Sequence, residues 1–290
     1  MLKLQTPVEV GKGQFGISFD DKIMILGSCF ADNIGKKLTE VGFNVCVNPF
    51  GTLYNPESIA NSIARLYDYK KFTSYDCIPM GAGAGLICSF SHHTSFARAS
   101  EQDFLDNANE SLEKAASFFR DCNIMLITLG TAWCYKLNSN GLIVSNCLKR
   151  DAKEFTREMM TIEEVVGTIE RMISSCEPGM KFIFTLSPIR HLSDGAHNNQ
   201  LSKSTLLLAI EQICKDHQDR CEYFPAYELM MDELRDYRFY AEDMSHPSEQ
   251  AVNYIWNRFC DFALNEQDAQ KAADNLKTHK RLSHRPITRQ

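Results

Sequence analysis

The chain has 290 residues, 44% of them apolar, and its 31 basic and 37 acidic side chains leave a formal net charge of −6. That composition can build a sizeable core, and the acidic balance disfavours nucleic acid as the main partner, because phosphate contacts ask for a basic surface. No run approaches the ~18 apolar residues of a membrane-spanning helix, so no membrane span is expected.

Residues Met1 to Pro7 lack the apolar stretch of a secretory signal. The eleven cysteines are scattered, with no Cys-x-x-Cys pair. That pattern disfavours both a metal knuckle and a disulfide framework. It suits small apolar residues in a reducing compartment, and a cytoplasmic location is the expectation. No metal and no organic cofactor are expected.

Gly11-x-Gly13-x-x-Gly16 fits a nucleotide-loop pattern. No helical pattern follows it, and the triplets of a kinase are absent, so a plain glycine turn before the first strand is expected. A strand is predicted over 22–26. The helix after it places Phe30, Ile34, Leu38 and Val41 on one face and stops at Gly42. Residues 43–47 form a second strand. It enters a turn-rich loop, 48–56, and a helix that starts at Pro56.

Residues 70–98 break this rhythm and are expected to be an insertion, with a β-hairpin around Gly81–Gly85. The adjacent His92 and His93 would point to opposite faces of a strand, one packed and one at the surface. A long helix is predicted over 101–120. Residues 124–129 are a continuous apolar run of buried-strand type. A hairpin excursion follows around Asn138-Ser139-Asn140, then a polar linker and a helix near 161–175. Strands at 181–186 and 222–224 and helices near 199–217 and 249–264, the last capped by Ser248, complete the series. This is an α/β order with a mainly parallel sheet of five strands, in one domain over 1–265. Residues 266–290 are expected to be a polar C-terminal tail.

Ser28, the Asn48–Gly51 loop, Gly130 and Ser187 all follow strands. In a parallel sheet these ends share one edge, where open α/β sheets carry their sites. Asp243 and His246 arrive three residues apart near the C-terminus. A hydroxyl, an imidazole base and an acid that orients it are the parts of a nucleophilic hydrolase.

The motifs Gly27-Ser28-Cys29-Phe30-Ala31, Asn48-Pro49-x-Gly51-x-x-Tyr54-Asn55-Pro56, Leu129-Gly130-Thr131-Ala132, Ser187-Pro188-x-Arg190-His191 and Asp243-Met244-Ser245-His246-Pro247 occur in this order. Together they resemble the GSCFA domain family, which looks like a branch of the SGNH hydrolases. The resemblance implies a three-layer, flavodoxin-like fold with strand order 2-1-3-4-5 and action on ester-linked acyl groups, often on sugars. It implies Ser28 as nucleophile, with Cys29 as its rival because Gly27-Ser28-Cys29 stands where the superfamily has Gly-Asp-Ser. His246 would be the base and Asp243 its orienter. The backbone N–H groups of Ser28 and Gly51 would form the oxyanion hole. The third motif departs from the superfamily pattern, since Ala132 stands where an asparagine donor belongs. Cys29, Asn48, Tyr54, His93, Gly130, Thr131 and Arg190 are the expected substrate-lining residues, with Asn48, Thr131 and His93 as candidates for the missing donor.

The function expected is hydrolysis of a small-molecule or carbohydrate ester. Two alternatives use the same scaffold. One is an acyltransferase. The other is a sugar- or acyl-binding module with degraded chemistry, in which Arg190, Tyr54 and Trp133 would make the ligand contacts.

Overall fold

The computed structural model describes residues 6–283. Five strands form the central sheet: β1 (Lys22–Gly27), β2 (Asn44–Val47), β3 (Ile124–Leu129), β4 (Lys181–Leu186) and β5 (Cys221–Tyr223). Their order is β2-β1-β3-β4-β5 and all four pairings are parallel. The flavodoxin-like order implied by the motifs is therefore present.

Among the described residues seven helices of twelve residues or more pack around the sheet: α1 (Cys29–Glu40), α2 (Pro56–Asp68), α3 (Glu101–Arg120), α4 (Ile162–Ser174), α5 (Gly195–Asp216), α6 (Glu249–Ala263) and α7 (Glu266–Ser283). The strands are apolar on both faces because each face has its own helical layer. Met24, Leu26, Met125, Ile127, Phe182 and Phe184 point into the core under α2, α3, α4 and α5. Ile23, Ile25, Ile124, Leu126 and Ile183 alternate with them and meet Phe30, Ile34 and Leu38 of α1 and Ile255, Trp256 and Phe259 of α6.

Two expectations change here. The segment from 266 onward is a helix rather than a plain tail. Its sequence is polar, but Ala269, Ala272 and Leu276 fall on one stripe and join the core beside α1. Residues 284–290, with Arg285 and Arg289, lie outside the described residues. The linker before α4 contains a strand, Phe155–Met159, which pairs with Trp133–Leu137 next to Ile143–Val144 in a three-stranded antiparallel sheet. Only its end residues are apolar, so it carries no period-two signal.

The insertion at 70–98 holds a minimal hairpin, Ile78–Pro79 against Ile87–Cys88. His92 is fully buried among Phe50, Phe72, Phe96 and Phe104, and its Nδ1 meets Ser89 Oγ at 2.7 Å. Burial, and then the charge of Arg65, push its pKa down to about 3. In the unfolded chain the same ring titrates near its ordinary value of about 6.5. Between these values the unfolded state binds the extra proton, so stability is present above about pH 6.5 and is lost as pH falls toward 3. His92→Phe is expected to flatten this acid limb, and urea unfolding at pH 7 and pH 4.5 measures it.

The glycine run at 11–16 binds no helix start. The Gln14 N–H donates to Glu222 Oε2 at 2.6 Å and the Gly13 N–H to the Phe262 carbonyl at 2.9 Å. The loop thus ties the N-terminal segment to β5 and α6.

Candidate active site

β1 ends at Gly27, and the chain turns straight into α1. Ser28 is the N-cap and Cys29 the first helical residue. Ser28 and Cys29 lie on the wall of a cavity of about 490 Å³ at the carboxyl edge of the sheet. Asp243, Ser245 and His246 form another wall of the same cavity, and Tyr54, Thr131, Trp133 and Arg157 line it as well. The two ends of the sequence that carry the expected chemistry are therefore brought together.

The acid and imidazole are a preorganised pair. Asp243 Oδ1 accepts the backbone N–H groups of Ser245 and His246, each at 2.9 Å, and Oδ2 meets His246 Nδ1 at 2.5 Å. The N–H groups of His246 and Ser245, and then the ring itself, hold the Asp243 carboxyl down at about 2. It is ionised at any working pH. With Nδ1 committed as a donor to Asp243, Nε2 is left as the acceptor.

Ser28 is placed differently from the expectation. It is 1% exposed. Its Oγ donates to Ser187 Oγ at 2.9 Å and accepts the Phe30 N–H at 3.4 Å. Its backbone N–H donates to the Thr128 carbonyl at 3.2 Å. Both of its donors are thus engaged, the hydroxyl on Ser187 after β4 and the N–H on Thr128 in the sheet. Among the described residues no hydrogen bond joins Ser28 to His246. Cys29 is half-buried on the cavity wall. Burial, and then the charge of Asp32, push its thiol up to about 11, while the N–H groups of Cys29 and Phe30 and the charge of Lys203 pull it down.

The expected oxyanion hole needs the same correction. The Gly51 N–H donates to the Asn48 carbonyl at 2.8 Å, and Gly51 does not line the cavity. Gly51 is glycine for another reason. Its φ is +79°, and a Cβ there would stand 2.4 Å from His93 Cβ. The N–H groups of Gly130 and Thr131 both go to the Tyr54 carbonyl, at 2.8 and 3.0 Å. What remains for an oxyanion in the first turn of α1 is the Cys29 N–H, since Ser28 Oγ takes the Phe30 N–H at 3.4 Å and the Ser28 carbonyl takes the Ala31 N–H at 2.8 Å.

Of the residues expected to line a substrate, Cys29, Tyr54, Thr131 and Arg190 line the cavity; Asn48, His93 and Gly130 do not. Asn48 is a clasp. Its Oδ1 accepts the Gly27 N–H at 2.9 Å and its Nδ2 donates to Asp32 at 2.6 Å. His93 accepts the Ser95 N–H on Nδ1 at 3.2 Å in the insertion. Gly130 packs against Tyr54. Ala132 is fully buried, with its N–H on Ser202 Oγ at 2.8 Å, so a longer side chain at 132 would enter the core.

Further residues complete the cavity. The Arg157 guanidinium lies 4.4 Å over the Trp133 ring and 5.6 Å from that of Tyr135, and it pairs with Asp194. His191 meets Tyr54 edge to face at 6.2 Å between ring centroids. Burial, and then the charge of Lys203, push His191 down to about 4, so it is neutral. Tyr135 comes from the expected hairpin of the antiparallel sheet, and Arg157 from its third strand, Phe155–Met159, which had no strand signal. A second hollow of about 360 Å³ is lined by Glu57, Lys136, Glu158 and Arg171. Their charges are spent on each other, with Arg171 on Glu57 at 2.6 Å and Lys136 on Glu158.

A family model for the GSCFA family matches residues 22–259. The chain belongs to the GSCFA family. The match runs from the first residue of β1 into α6, so both halves of the cavity lie inside the family region. No curated protein matches this GSCFA chain. Among the described residues no helix is long and apolar enough to cross a membrane.

Proposed function

We propose that the chain transfers an acyl group from an oxygen ester to water, with His246 as general base, Asp243 as its orienter, and a nucleophile from the Ser28–Cys29 turn. The observation that carries this reading is that the turn and the Asp243–His246 pair line one cavity at the helix N-terminus. This is the arrangement of the SGNH hydrolases that the motifs resemble.

Within the turn, two features favour Cys29 as the attacking atom. Ser28 spends its hydroxyl on Ser187 and on capping α1, whereas the Cys29 side chain belongs to the half-buried wall. In the proposed step the thiol proton passes to His246 Nε2 and sulfur bonds to the ester carbonyl carbon. The oxyanion gathers at the Cys29 N–H in the first turn of α1. The C–O bond then breaks, and His246 returns the proton to the leaving alcohol. Water, deprotonated by His246, attacks the thioester in turn, releases the acid and restores the thiol. Trp133, Tyr135 and the Arg157–Asp194 pair offer an aromatic face and polar groups of both signs. That lining suits an acylated sugar, whose ring is apolar on one face and rich in hydroxyls at its edge.

Turnover of p-nitrophenyl acetate tests the reading. Cys29→Ala is expected to lower kcat by about 10³-fold or more. Ser28→Ala is expected to keep activity within about tenfold and to lose about 1 kcal/mol of stability with the cap. The reverse outcome returns the role to Ser28. Full activity in both variants removes the turn from the chemistry. Product analysis with a sugar acceptor present separates hydrolysis from transfer.

A further inference from the structure

The core-facing stripe of α5 runs through Asn199, Ser202, Lys203, Leu206, Ala209, Ile210 and Ile213. A lysine on that stripe is out of place, and Lys203 is 1% exposed. Its Nζ donates to the Gly130 carbonyl at 2.7 Å and to the Ser187 carbonyl at 2.9 Å. These carbonyls stand just beyond the ends of β3 and β4. Among the described residues no carboxylate is hydrogen-bonded to it. The Tyr227 ring lies 5.3 Å away.

Burying an ammonium without a counter-ion costs several kcal/mol, and two carbonyl dipoles offset only part of that. A methionine would fill the same space without the cost. The position is informative for this reason. The carbonyls that hold Nζ follow β3, which pairs with β1, and β4, which pairs with β3, and the Ser187 hydroxyl also accepts the Ser28 hydroxyl at 2.9 Å. The charge is near enough to act on the Cys29 thiol and on the His191 ring. Burial draws Lys203 down to about 7, and negative charge on Cys29 opposes that shift. The Cys29 N–H and this ammonium thus flank the same turn, and Ala132 supplies no side-chain donor.

We propose that Lys203 is a positioning residue whose buried ammonium, tied to the Gly130 and Ser187 carbonyls, stabilises negative charge at Cys29 and on the adjacent acyl oxyanion. The oxyanion half of this statement rests on the acyl-transfer reading. The thiol half does not.

The test therefore reads the thiol first. The groups that face Cys29 are Asp32 on its own helix, Tyr54 from the loop before α2, and Lys203 from α5; His246 lines the same cavity. The rate of Cys29 alkylation by iodoacetamide, followed by peptide mass spectrometry from pH 6 to 11, is compared in the wild type and in Lys203→Gln. The glutamine amide still donates to the carbonyls but carries no charge. The expected result is a Cys29 reaction about tenfold slower in Lys203→Gln near pH 6 to 7, where the ammonium is present, with the two profiles converging at higher pH as Lys203 loses its proton. The kcat for p-nitrophenyl acetate is expected to fall about tenfold, with KM held within twofold. A folded Lys203→Gln protein whose alkylation profile overlays the wild type overturns the proposal. A profile changed in this way in a protein with no ester turnover upholds the Lys203–Cys29 coupling and counts against the acyl-transfer reading alone. If Lys203→Gln does not fold, Cys29→Asp and Cys29→Asn decide. With the ammonium beneath it the aspartate variant is expected to melt no lower than the asparagine variant at pH 6, and a clearly lower melting point overturns the proposal.

Discussion

Replacing His246 with alanine is expected to lower ester turnover by about 10²–10⁴-fold with little change in KM. The ring lines the cavity, and Asp243 claims its Nδ1 at 2.5 Å, which leaves the other nitrogen as the base. The loss should be chemical rather than structural. The His246 side chain is 50% exposed, and substitutions at such positions usually change stability by no more than about 0.5 kcal/mol. Asp243→Asn keeps the shape but replaces an acceptor-only group with an amide that can also donate. It permits the wrong ring tautomer, and a loss of about 10²–10⁴-fold is expected from it as well. Because the Asp243 carboxyl is held at about 2, the wild type should show no loss of activity from Asp243 protonation down to about pH 4. Steady-state kinetics with melting curves on both variants check this. A His246→Ala enzyme within threefold of wild type would remove the base from the account.

Gly27→Ala is expected to be severely damaging, costing more than about 4 kcal/mol or preventing folding. Gly27 closes β1 at φ +137°, directly opposite Thr128 of β3. A Cβ there would stand 2.1 Å from the Thr128 carbonyl oxygen and 2.9 Å from its nitrogen. Those atoms belong to the sheet backbone and cannot step aside. The same residue donates its N–H to Asn48 at 2.9 Å and accepts the Leu53 N–H at 2.9 Å. Three segments therefore converge on the residue before the Ser28–Cys29 turn, which fixes that turn in space. Urea unfolding measures the cost, and a loss under 1 kcal/mol would contradict this view of the turn.

Much of the architecture is legible in the sequence because burial leaves a periodic mark. The runs 23–26, 124–129 and 181–186 are apolar throughout, as strands covered on both faces must be. Asn55 and Ser248 cap α2 and α6 where their residue types place a helix start. The Phe155–Met159 strand escaped because three exposed residues separate its apolar ends. The α7 helix escaped because a narrow stripe of alanines and one leucine is masked by charge. The site was legible as a set of segments but not as a set of atoms. The order of Gly27-Ser28-Cys29 and Asp243-x-x-His246 brings both to one edge of the sheet. Which N–H groups remain free depends on partners such as the Tyr54 and Asn48 carbonyls, and no local pattern announces those. Gly51 and Ser28 lost their oxyanion role on that account. Lys203 did leave a signal, as a lysine at the i, i+3, i+4 spacing of a buried stripe.

The central claim is that an acyl-enzyme forms at the Ser28–Cys29 turn. Acid quenching of a reaction with p-nitrophenyl acetate, followed by peptide mapping of the adduct, tests it most directly. One acetyl group on Cys29, lost when Cys29 becomes alanine and failing to accumulate in His246→Ala, is the predicted result. Turnover with no adduct in this peptide, or an adduct on a residue outside the cavity, would contradict it.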